Sequence, residues 1–506
     1  MVDLAIALRD APSKSSAFVD VNGVRANHAQ IREAAARVAT LCHQREVGPA
    51  SVVALVAENS LSFVIGWLGA LFSGAEVALI NATYPLKLIG SLTRIVDADV
   101  VMSDGSVDNR ALAEATGRAV WNIDGLERGS CWIGNQAVEL PDGASGADAL
   151  VERSSQDIAG YMHTSGSTGW PKFCAQSHAY YLNLAEYCQD VLHMTAESVV
   201  YNPLPLYHIN PLGYGLVPAL LSGASYVTDS RFSARQYWSR VQKSSASILI
   251  LHQPLVRILK QYSDPLSMSH EVEVAFLADA EFLRRFHIPE GIGAYGSTEA
   301  GGLTSHSRWQ LGDLPDVGPP EGISCVAGEC RQDMSLEIAD DGEILVAETV
   351  PGHLASYYLT ESGSEAIVSD DGFFRTGDVA RIDERFGPVF VGRREESIRI
   401  NGEFVPIPFV EAHFEDFEHV SEAAITLETE GGYEALVLYV VASRLPPVSA
   451  LEERQAVLPR YMRPSLVRRV SDFPRVSGIG KVRRGGLGEL EVLEERVLNT
   501  KGNLSC

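Results

Sequence analysis

The sequence predicts an α/β protein in which a large first part is followed by a smaller α+β part. Three observations support this prediction. From Ser51 onward, short apolar segments alternate with amphipathic ones, which is typical of buried, largely parallel strands connected by helices. The length of 506 residues suffices for about three units of roughly 150 residues each. After Arg393 the segments become short and charge-rich, which indicates a small α+β domain of about a hundred residues.

The individual elements follow from local patterns of apolar residues. Residues 51 to 124 predict strand, helix, strand, helix, strand and strand, in the segments VVALVAE, LSFVIGWLGALF, EVALINA, LKLIGSLTRIVDA, VVMSD and AVWNID. The polar stretch Glu127–Gln156, rich in Gly, Ser and Asp, predicts a connection between subdomains. Farther on, SILILHQ predicts a strand and PLVRILKQY a helix, while SEAAITLE and YEALVLYVV belong to the small C-terminal domain.

Composition narrows the class of protein. Hydrophobic residues make up 46% of the chain and charged residues 21%, the profile of a soluble globular protein. The 41 basic and 65 acidic residues give a net charge of −24, so the long-range field repels nucleic acids and anionic membranes. Neither is expected as a partner. Small anions remain candidates, because local amides, cations and a metal ion are enough to bind them.

The cysteines and the apolar segments indicate a cytoplasmic protein. Seven scattered cysteines without a CxxC pair predict reduced thiols and no zinc site. The N-terminal segment carries Asp3 and Arg9, and its apolar run is too short for a signal peptide. The longest apolar stretch, Phe63–Ile80, is interrupted by glycines and Glu76, so it predicts a buried helix and a core strand.

The segment YMHTSGSTGWPK, Tyr161 to Lys172, is the strongest candidate for a phosphate site. Glycines interleaved with hydroxyl residues present backbone N–H groups and hydroxyls on one concave face, and a lysine adds a positive charge. It is not a Walker A loop, which requires GxxxxGK[ST]. If this segment is considered without the motifs that follow it, the alternative is an ordinary turn between two strands. The candidate ligands are Thr164, Ser165, Gly166, Ser167, Thr168, Gly169 and Lys172.

Four further motifs follow in order: Tyr295–Glu299, Gly372–Asp378, Gly392–Arg393 and Gly480–Lys481. With these five motifs, the chain resembles the adenylate-forming superfamily, which contains acyl-CoA and aryl-CoA synthetases, firefly luciferase and the adenylation domains of nonribosomal peptide synthetases. The resemblance covers nearly the whole chain. VVALVAENSLSFVIGWLGALFSGAEVALINATYP has the family's early pattern, and NPLPLYHINPLGYG resembles the motif beside its acyl pocket.

The resemblance implies an acyl-CoA synthetase-like fold. Residues 1–394 form the domain that binds ATP and substrate, and residues 395–506 form a mobile lid domain. It also implies an ATP-dependent and Mg²⁺-dependent ligase that converts a small carboxylic acid into an acyl adenylate, releases pyrophosphate, and passes the acyl group to coenzyme A. A separate carrier protein or an amine remains an alternative acceptor, including nitrite activation toward an aryl amine. A non-catalytic nucleotide-binding protein is a second alternative. The oligomeric state, monomer or homodimer, is left open.

The chemistry of the turn that follows Tyr295 fits a nucleotide. Glu299, beside Gly296, Ser297 and Thr298, offers hard oxygen ligands for Mg²⁺, and the ring of Tyr295 is expected against adenine. A helix start with Ser297 as its N-cap is the alternative.

The hairpin predicted in VARIDERFGPVFVG supplies a second contact. Two strands joined at Phe386–Pro388 place Asp378 opposite Arg393, so both are expected to bind one ribose. A turn-capping aspartate and a solvated arginine are the alternatives for this pair.

Further roles come from the resemblance alone. Lys481 corresponds to the lysine that contacts the α-phosphate and the substrate carboxylate, and together with Thr164, Glu299 and His208 it completes the expected catalytic set. A solvated lysine in a basic run is the alternative. His208 is expected to gate or orient the substrate, or else to be a packed histidine. Gly402 is expected to let a pantetheine arm pass close to the backbone.

The last expected role is a hinge at Glu395. Lys481 and the loop Arg399 to Glu403 face the same site at different steps, according to the resemblance, so the lid domain must rotate between them.

Three places depart from the family pattern. Phe276 to Glu281 reads FLADAE where the family has a Gly/Ala/Pro-rich segment, so Asp279 and Glu281 either recognise a substrate amine or point to solvent. The stretch from Pro474 to Lys481 is one residue longer than usual, and Glu395 stands where the family mostly has Asp or Lys.

Overall fold

The computed structural model of this protein describes most of the chain. The described residues are 3–12, 16–124, 130–133, 136–139, 150–165, 171–262, 269–313, 328–383, 387–393, 397–400, 403–430, 433–456, 458, 460–475 and 482–498. Internal contacts divide the chain into two compact units. The first contains the described residues of Met1–Asp316, Ala327–Glu337 and Leu345–Arg375, and the second those of Ile338–Ile344 and Thr376–Cys506.

Strands and helices alternate through most of both units. The described strands are Phe18–Val21 (β1), Val24–Asn27 (β2), Val52–Ala57 (β3), Glu76–Asn81 (β4), Val100–Ser103 (β5), Ala119–Asp124 (β6), Ser130–Ile133 (β7), Gln136–Glu139 (β8), Ile158–Ser165 (β9), Pro171–Ser177 (β10), Val199–Tyr201 (β11), Ser225–Thr228 (β12), Ile248–Ile250 (β13), Val274–Phe276 (β14), Glu290–Tyr295 (β15), Ser305–Gln310 (β16), Glu329–Cys330 (β17), Met334–Ile338 (β18), Glu343–Glu348 (β19), Tyr357–Thr360 (β20), Gly363–Ala366 (β21), Phe374–Asp383 (β22), Gly387–Arg393 (β23), Ser397–Ile400 (β24), Glu403–Pro406 (β25), Val420–Glu430 (β26), Tyr433–Ala442 (β27), Leu466–Val470 (β28) and Glu494–Val497 (β29).

The helices are mostly two to four turns long. They are Leu4–Asp10 (α1), His28–Gln44 (α2), Leu61–Phe72 (α3), Leu86–Ile95 (α4), Asn109–Thr116 (α5), His178–Val191 (α6), Val217–Ser222 (α7), Tyr237–Ser244 (α8), Gln253–Tyr262 (α9), Ala280–Phe286 (α10), Ile407–Glu415 (α11) and Val448–Ala456 (α12). Asn210–Leu216 forms a π-helical segment. Short 3₁₀ turns cover Leu311–Asp313, Arg460–Met462 and Arg484–Glu489.

Two large mixed sheets organise the described part of the first unit. One has ten strands in the order β21-β20-β10-β9-β4-β3-β5-β6-β7-β8, with parallel pairing from β9 through β6. The other has nine strands in the order β17-β16-β15-β14-β13-β11-β12-β1-β2, with parallel pairing from β15 through β1. Ligands of open α/β sheets bind beyond the carboxyl ends of parallel strands, so β9 and β15 direct their ends toward a candidate site.

The helix α3 illustrates how the sequence produces this arrangement. Its mean hydropathy is high, and eleven of its twelve residues are buried against the sheet. Ser60 caps its first turn, because the Ser60 hydroxyl accepts a hydrogen bond from the Phe63 N–H at 3.0 Å. The predicted helix over LSFVIGWLGALF and the strands on either side of it are confirmed.

One local prediction is wrong. Two strands, β7 and β8, lie within Glu127–Gln156, where the sequence predicted only a polar connection. They extend β6 at the edge of the ten-stranded sheet by antiparallel pairing. Edge strands need few apolar residues, because one side of the ladder and much of their surface face away from the core.

The second unit contains the α+β arrangement expected of the C-terminal part. Its described sheet has the order β26-β27-β28-β29, and α11 packs against β26 through Val410 and Phe414. Arg484 pairs with Glu411 at 2.7 Å. Burial raises the pKa of Glu411 to about 7 although Arg484 opposes the shift. The strands predicted in SEAAITLE and YEALVLYVV are confirmed.

The expected boundary between residues 394 and 395 stays a prediction, because residues 394–396 lie outside the described residues. Contacts group the β22–β23 hairpin with the second unit, whereas the expected boundary follows that hairpin. A smaller sheet has the order β18-β19-β22-β23, and β24 pairs with β25.

Four cysteines lie among the described residues. Cys42, Cys174, Cys188 and Cys330 are not in disulfide bonds there, and the first three are buried. Within the described ranges, no helix combines the length and the apolar character needed to cross a bilayer.

Candidate active site

The candidate phosphate site begins at the end of strand β9. Thr164 lies opposite Lys172 of β10 in the antiparallel register. The hydroxyl oxygen of Thr164 is buried and has no hydrogen-bond partner among the described residues. Because buried polar atoms in proteins are nearly always hydrogen-bonded, this hydroxyl is a candidate contact for a bound ligand.

Glu299 shares an electrostatic environment with Lys172. The pKa of the Cys174 thiol is raised, first by burial and then by Glu299, while Lys172 lowers it. Lys172 and Cys174 are two residues apart on β10, so they lie on one face of the sheet. The Lys172 ammonium also sits 3.3 Å from the ring centroid of Tyr358. One sheet face therefore combines a buried hydroxyl, a cation and a carboxylate.

The turn that carries Glu299 is held by its backbone. The Tyr180 hydroxyl donates to the Thr298 carbonyl at 2.9 Å, and the Ala355 N–H donates to the Glu299 carbonyl at 3.0 Å. A Cβ on Gly296 would collide with the carbonyl oxygen of Gly302, so this position of the turn requires glycine. These contacts fix the backbone from which the Glu299 side chain extends.

The alternative of a helix starting at Ser297 is partly right. The Ser297 hydroxyl accepts from the Ala300 N–H at 3.2 Å, which is the bond of an N-cap. The chain then bends back, because the Gly302 N–H donates to the Ser297 carbonyl at 2.9 Å and Gly301 and Gly302 both have positive φ. A turn forms, and no helix follows.

Two residues that sequence reasoning missed support this turn. Arg331 is 4% exposed, donates to the Leu303 carbonyl at 3.1 Å and lies 4.8 Å from the ring centroid of Tyr187. Burial lowers its pKa. Glu348 accepts from the backbone N–H groups of residues 352, 353 and 354, just before Ala355. Neither residue lies in a recognisable motif, so no local signal indicated them.

His208 lies in a second region, around His163. Its imidazole packs edge-on against that of His163, with ring centroids 6.0 Å apart. Asn59 fixes the preceding loop, because its side chain donates to the Leu204 carbonyl at 2.8 Å and accepts from the Leu206 N–H at 2.7 Å. His208 remains exposed, which favours the expected role at a substrate site over that of a packed core histidine.

The predicted hairpin is confirmed in the second unit. Asp378 pairs with Arg393, and Ala380 and Arg381 pair with Phe390 and Val389 beyond a bulge. Asp378 is 4% exposed, and its N–H donates to the Thr376 hydroxyl at 3.0 Å. A shared contact with ribose stays a prediction.

Asp279 and Glu281 make contacts that neither expectation included, and recognition of a substrate amine stays a prediction. Asp279 caps α10 by accepting from the Phe282 N–H at 2.8 Å, and it pairs with Lys260 at 2.9 Å. Glu281 also pairs with Lys260, at 2.5 Å. Burial alone would lower the pKa of Lys260, but both carboxylates outweigh it and raise that pKa. These contacts favour a structural role for both acids.

Asp279→Ala is therefore expected to destabilise the protein. Loss of the cap costs about 0.5–2 kcal/mol, and the partly exposed ion pair adds at most about 1 kcal/mol. Asp279→Asn keeps the capping oxygen and removes the charge, so its melting temperature should fall less than that of Asp279→Ala. Thermal unfolding measures both variants. A raised KM for an amino-bearing acid at unchanged thermal stability would instead assign Asp279 to substrate binding.

Several expected site residues lie outside the described residues. They are Gly166, Ser167, Thr168, Gly169, Glu395, Gly402 and Lys481, together with the side chains of Ser165 and Arg393. Tyr295 ends β15 and is 5% exposed. Within the described ranges, no group of three or more His, Cys, Asp or Glu side chains is arranged to hold a metal ion.

Comparison with known proteins identifies the family of this chain. Residues 6–358 match the family described as AMP-binding enzyme. The medium/long-chain-fatty-acid–CoA ligase FadD6 of Mycobacterium tuberculosis is 26% identical over 416 residues, which cover 77% of this chain and 68% of FadD6.

Solved structures agree with the fold. The o-succinylbenzoate CoA synthetase MenE from Bacillus subtilis, in complex with the acyl-adenylate OSB-AMP, superposes with a TM-score of 0.79 at 18% identity, over 96% of this chain and 98% of MenE. ATP-bound MatB from Rhodopseudomonas palustris superposes with a TM-score of 0.76 at 21% identity, over 97% of this chain and 99% of MatB. The predicted acyl-CoA synthetase-like fold is confirmed.

Fold, motifs and relatives together define an adenylate-forming ligase. The chain belongs to the AMP-binding enzyme family. The expectation of a non-catalytic binding protein is not supported by this membership.

Proposed function

We propose that this enzyme activates a small carboxylic acid with ATP and then transfers the acyl group to coenzyme A. The observation that carries the proposal is the sheet face that joins the unpartnered hydroxyl of Thr164 to Lys172 and to the turn of Glu299. A hydroxyl, a cation and a carboxylate are the groups needed to bind a polyphosphate and its metal ion. Ligase relatives and the ATP-bound neighbour MatB support the same activity.

In the first step, an oxygen of the substrate carboxylate attacks the α-phosphorus of ATP. The bond to the β-phosphate oxygen breaks, and pyrophosphate leaves. Thr164 and Lys172 hold phosphate oxygens, and the side chain of Lys481 counters the negative charge that develops during attack. Asp378 and Arg393 hold the ribose, and Tyr295 contacts adenine.

Glu299 is the proposed ligand for magnesium. Mg²⁺ commonly takes one or two protein carboxylates and completes its coordination with phosphates and water, so a single glutamate fits this ion. When bound, Mg²⁺ supplies positive charge that neutralises the phosphate oxygens.

In the second step, the sulfur of coenzyme A attacks the acyl carbonyl carbon, the bond from that carbon to the phosphate oxygen breaks, AMP leaves, and the thiol proton passes to water. Gly402 is the proposed passage for the pantetheine arm, and rotation of the lid domain about Glu395 separates the two steps. Both proposed roles follow from the resemblance to the adenylate-forming superfamily.

Exchange of labelled pyrophosphate into ATP tests the first step. Purified protein with Mg²⁺ is expected to catalyse exchange that depends on one class of carboxylic acid in a panel. Mass spectrometry of the reaction with coenzyme A should then show the acyl thioester. Exchange without a thioester would exclude coenzyme A and leave a carrier protein or an amine as the acceptor. No exchange with any acid would contradict the proposed activity.

A further inference from the structure

His163 stands within a group of aromatic rings at the end of β9. We name this group, formed by Tyr84, His163, Phe173, Tyr207 and His208, the His163 cluster. The centroid of the His163 ring lies 5.3 Å from that of Tyr84, 5.8 Å from Tyr207, 6.0 Å from His208 and 6.4 Å from Phe173. The cluster therefore encloses one imidazole with rings from three separate parts of the chain.

The tyrosines of the cluster are positioned by Asn81 at the end of β4. Both Tyr84 and Tyr207 hydrogen-bond to the Asn81 side chain. The Asn81 side-chain oxygen also accepts from the Thr83 N–H and hydroxyl, each at 2.8 Å. These bonds hold both rings beside His163, so the cluster is built before any ligand arrives.

The cluster is largely but not wholly enclosed by protein. His208 is surrounded by protein closely enough that burial lowers its pKa to about 4, yet its residue surface remains exposed. A side chain that is both enclosed and exposed is expected at the wall of a cleft. Tyr84 and Tyr207 are half-buried, and His163 is only 8% exposed behind them. A ligand in this cleft would meet aromatic faces.

His163 offers a hydrogen-bond acceptor in this setting. Its Nε2 is buried and has no hydrogen-bond partner among the described residues. We assign the proton of the neutral ring to Nδ1, the ring nitrogen that can reach the backbone carbonyl of its own residue, and this assignment leaves a lone pair on Nε2. Burial, followed by the nearby His208, lowers the pKa of His163 to about 3, so the ring is neutral near pH 7.

A lone pair of this kind selects the chemistry of its ligand. A hydroxyl or amino group donates to Nε2 and satisfies it. A second carboxylate has no proton to donate at neutral pH, so it cannot satisfy this lone pair. Binding a carboxylate there would leave a buried acceptor facing an anion, which is unfavourable.

The cluster is separate from the phosphate site. Successive side chains of a strand point to opposite faces, so His163 and Phe173 lie on one face, and Thr164 and Lys172 lie on the other. The ligand of His163 is therefore the body of the acid rather than the phosphates.

We propose that the enzyme prefers acids whose aromatic or otherwise apolar body carries a hydroxyl or amino group, and that His163 Nε2 accepts a hydrogen bond from this group. His163 is thus a specificity-determining residue. This inference rests on the proposed acid activation, and it names the substrate class of the same site.

Pyrophosphate exchange with matched acids tests the inference. The panel contains benzoate and its meta- and para-hydroxy, amino and carboxy derivatives, with hexanoate and its terminal hydroxy, amino and carboxy derivatives. The hydroxy or amino acid should exceed both the parent and the carboxy acid by at least about 10-fold in kcat/KM, as expected for a site built to bond a substrate donor.

Variants then assign the preference to His163. His163→Phe should reduce the ratio between donor and parent acids to about 1, and His163→Gln should retain part of it, because its amide oxygen also accepts. His28→Phe is the matched control. His28 is 1% exposed, and burial lowers its pKa to about 4, so the same change is made away from the cluster and should leave the ratio unaltered.

The outcomes separate this inference from the proposed function. Exchange without a preference for donor-bearing acids would overturn the inference alone, as would a preference that persists in His163→Phe. If His163→Phe does not fold, His163→Gln and the wild-type ranking of donor, parent and carboxy acids still decide it. Exchange with no acid in either series would reject the acid activation on which the inference rests.

Discussion

Exchange of pyrophosphate into ATP is expected to fall by about 10²-fold or more in Glu299→Gln, the scale of removing a charge contact made in the transition state. Glutamine keeps the size of the side chain and removes its charge. The backbone of the turn should stay in place, because Tyr180 and Ala355 hold the carbonyls of Thr298 and Glu299. If Glu299 binds Mg²⁺, the Mg²⁺ concentration for half-maximal exchange should rise as well.

Glu186→Gln provides the control for this prediction. Glu186 is an exposed glutamate of α6 in the same unit, and none of the contacts proposed for ATP, Mg²⁺ or the acid involves it. Exchange by this variant should stay within about 2-fold of wild type, since exposed charges are strongly screened. Wild-type exchange by Glu299→Gln at every Mg²⁺ concentration would remove Glu299 from the site. Weaker exchange with unchanged Mg²⁺ dependence would give it a role that does not involve the metal.

The hairpin of Asp378 shows what local sequence can predict. Two apolar segments joined by a Gly-Pro turn fix both the antiparallel direction and the pairing of Asp378 with Arg393. The bulge after Val379 was not predicted. It depends on the Ala380 N–H, which donates to the Gly342 carbonyl at 2.9 Å, and Gly342 is distant in the sequence.

Asp279 shows what local sequence cannot predict. The sequence left open whether Asp279 recognises a substrate amine or points to solvent, and it did not predict the partner, Lys260, on the preceding helix α9. The spacing of 19 residues across an intervening strand gives no periodic signal. Only the packing of α9 against α10 brings the two side chains together.

His163 could be predicted from the sequence only in part. It stands inside the predicted phosphate motif, directly before Thr164, so its position was available from the sequence. Its role was not, because the cluster requires Tyr207 and His208 to approach from a loop that Asn59 holds. Motifs therefore located the residues proposed to bind phosphate, while the residues proposed to face the acid required the tertiary structure.

The second large effect is expected at Lys481. Replacement by alanine should lower pyrophosphate exchange by about 10²-fold or more, because a cation that contacts the reacting phosphate stabilises the charge developing there. Lys481→Arg keeps the charge but changes its shape and reach, so exchange should fall between wild type and Lys481→Ala. Exchange assays at saturating ATP and acid measure both variants.

Neighbouring arginines supply the control, because the alternative for Lys481 is that it is one solvated charge in a basic run. Arg484 is already paired with Glu411 at 2.7 Å, whereas Arg483 is exposed. Arg475 pairs with Val482, and the Arg483 N–H donates to the Pro474 carbonyl at 2.7 Å. Arg483→Ala keeps this backbone hydrogen bond and removes a charge that is close to Lys481 in the sequence. Its exchange should therefore stay within about 3-fold of wild type.

Single-turnover transfer from a preformed adenylate to coenzyme A distinguishes a loss of chemistry from a loss of folding. Lys481 is proposed to act in the first step only, so Lys481→Ala should transfer the acyl group within about 10-fold of the wild-type rate while its exchange is nearly abolished. An equal loss in both steps would indicate that the lysine supports the lid domain as a whole. Normal exchange in Lys481→Ala, with Arg483→Ala impaired, would assign the catalytic charge to Arg483 instead of Lys481.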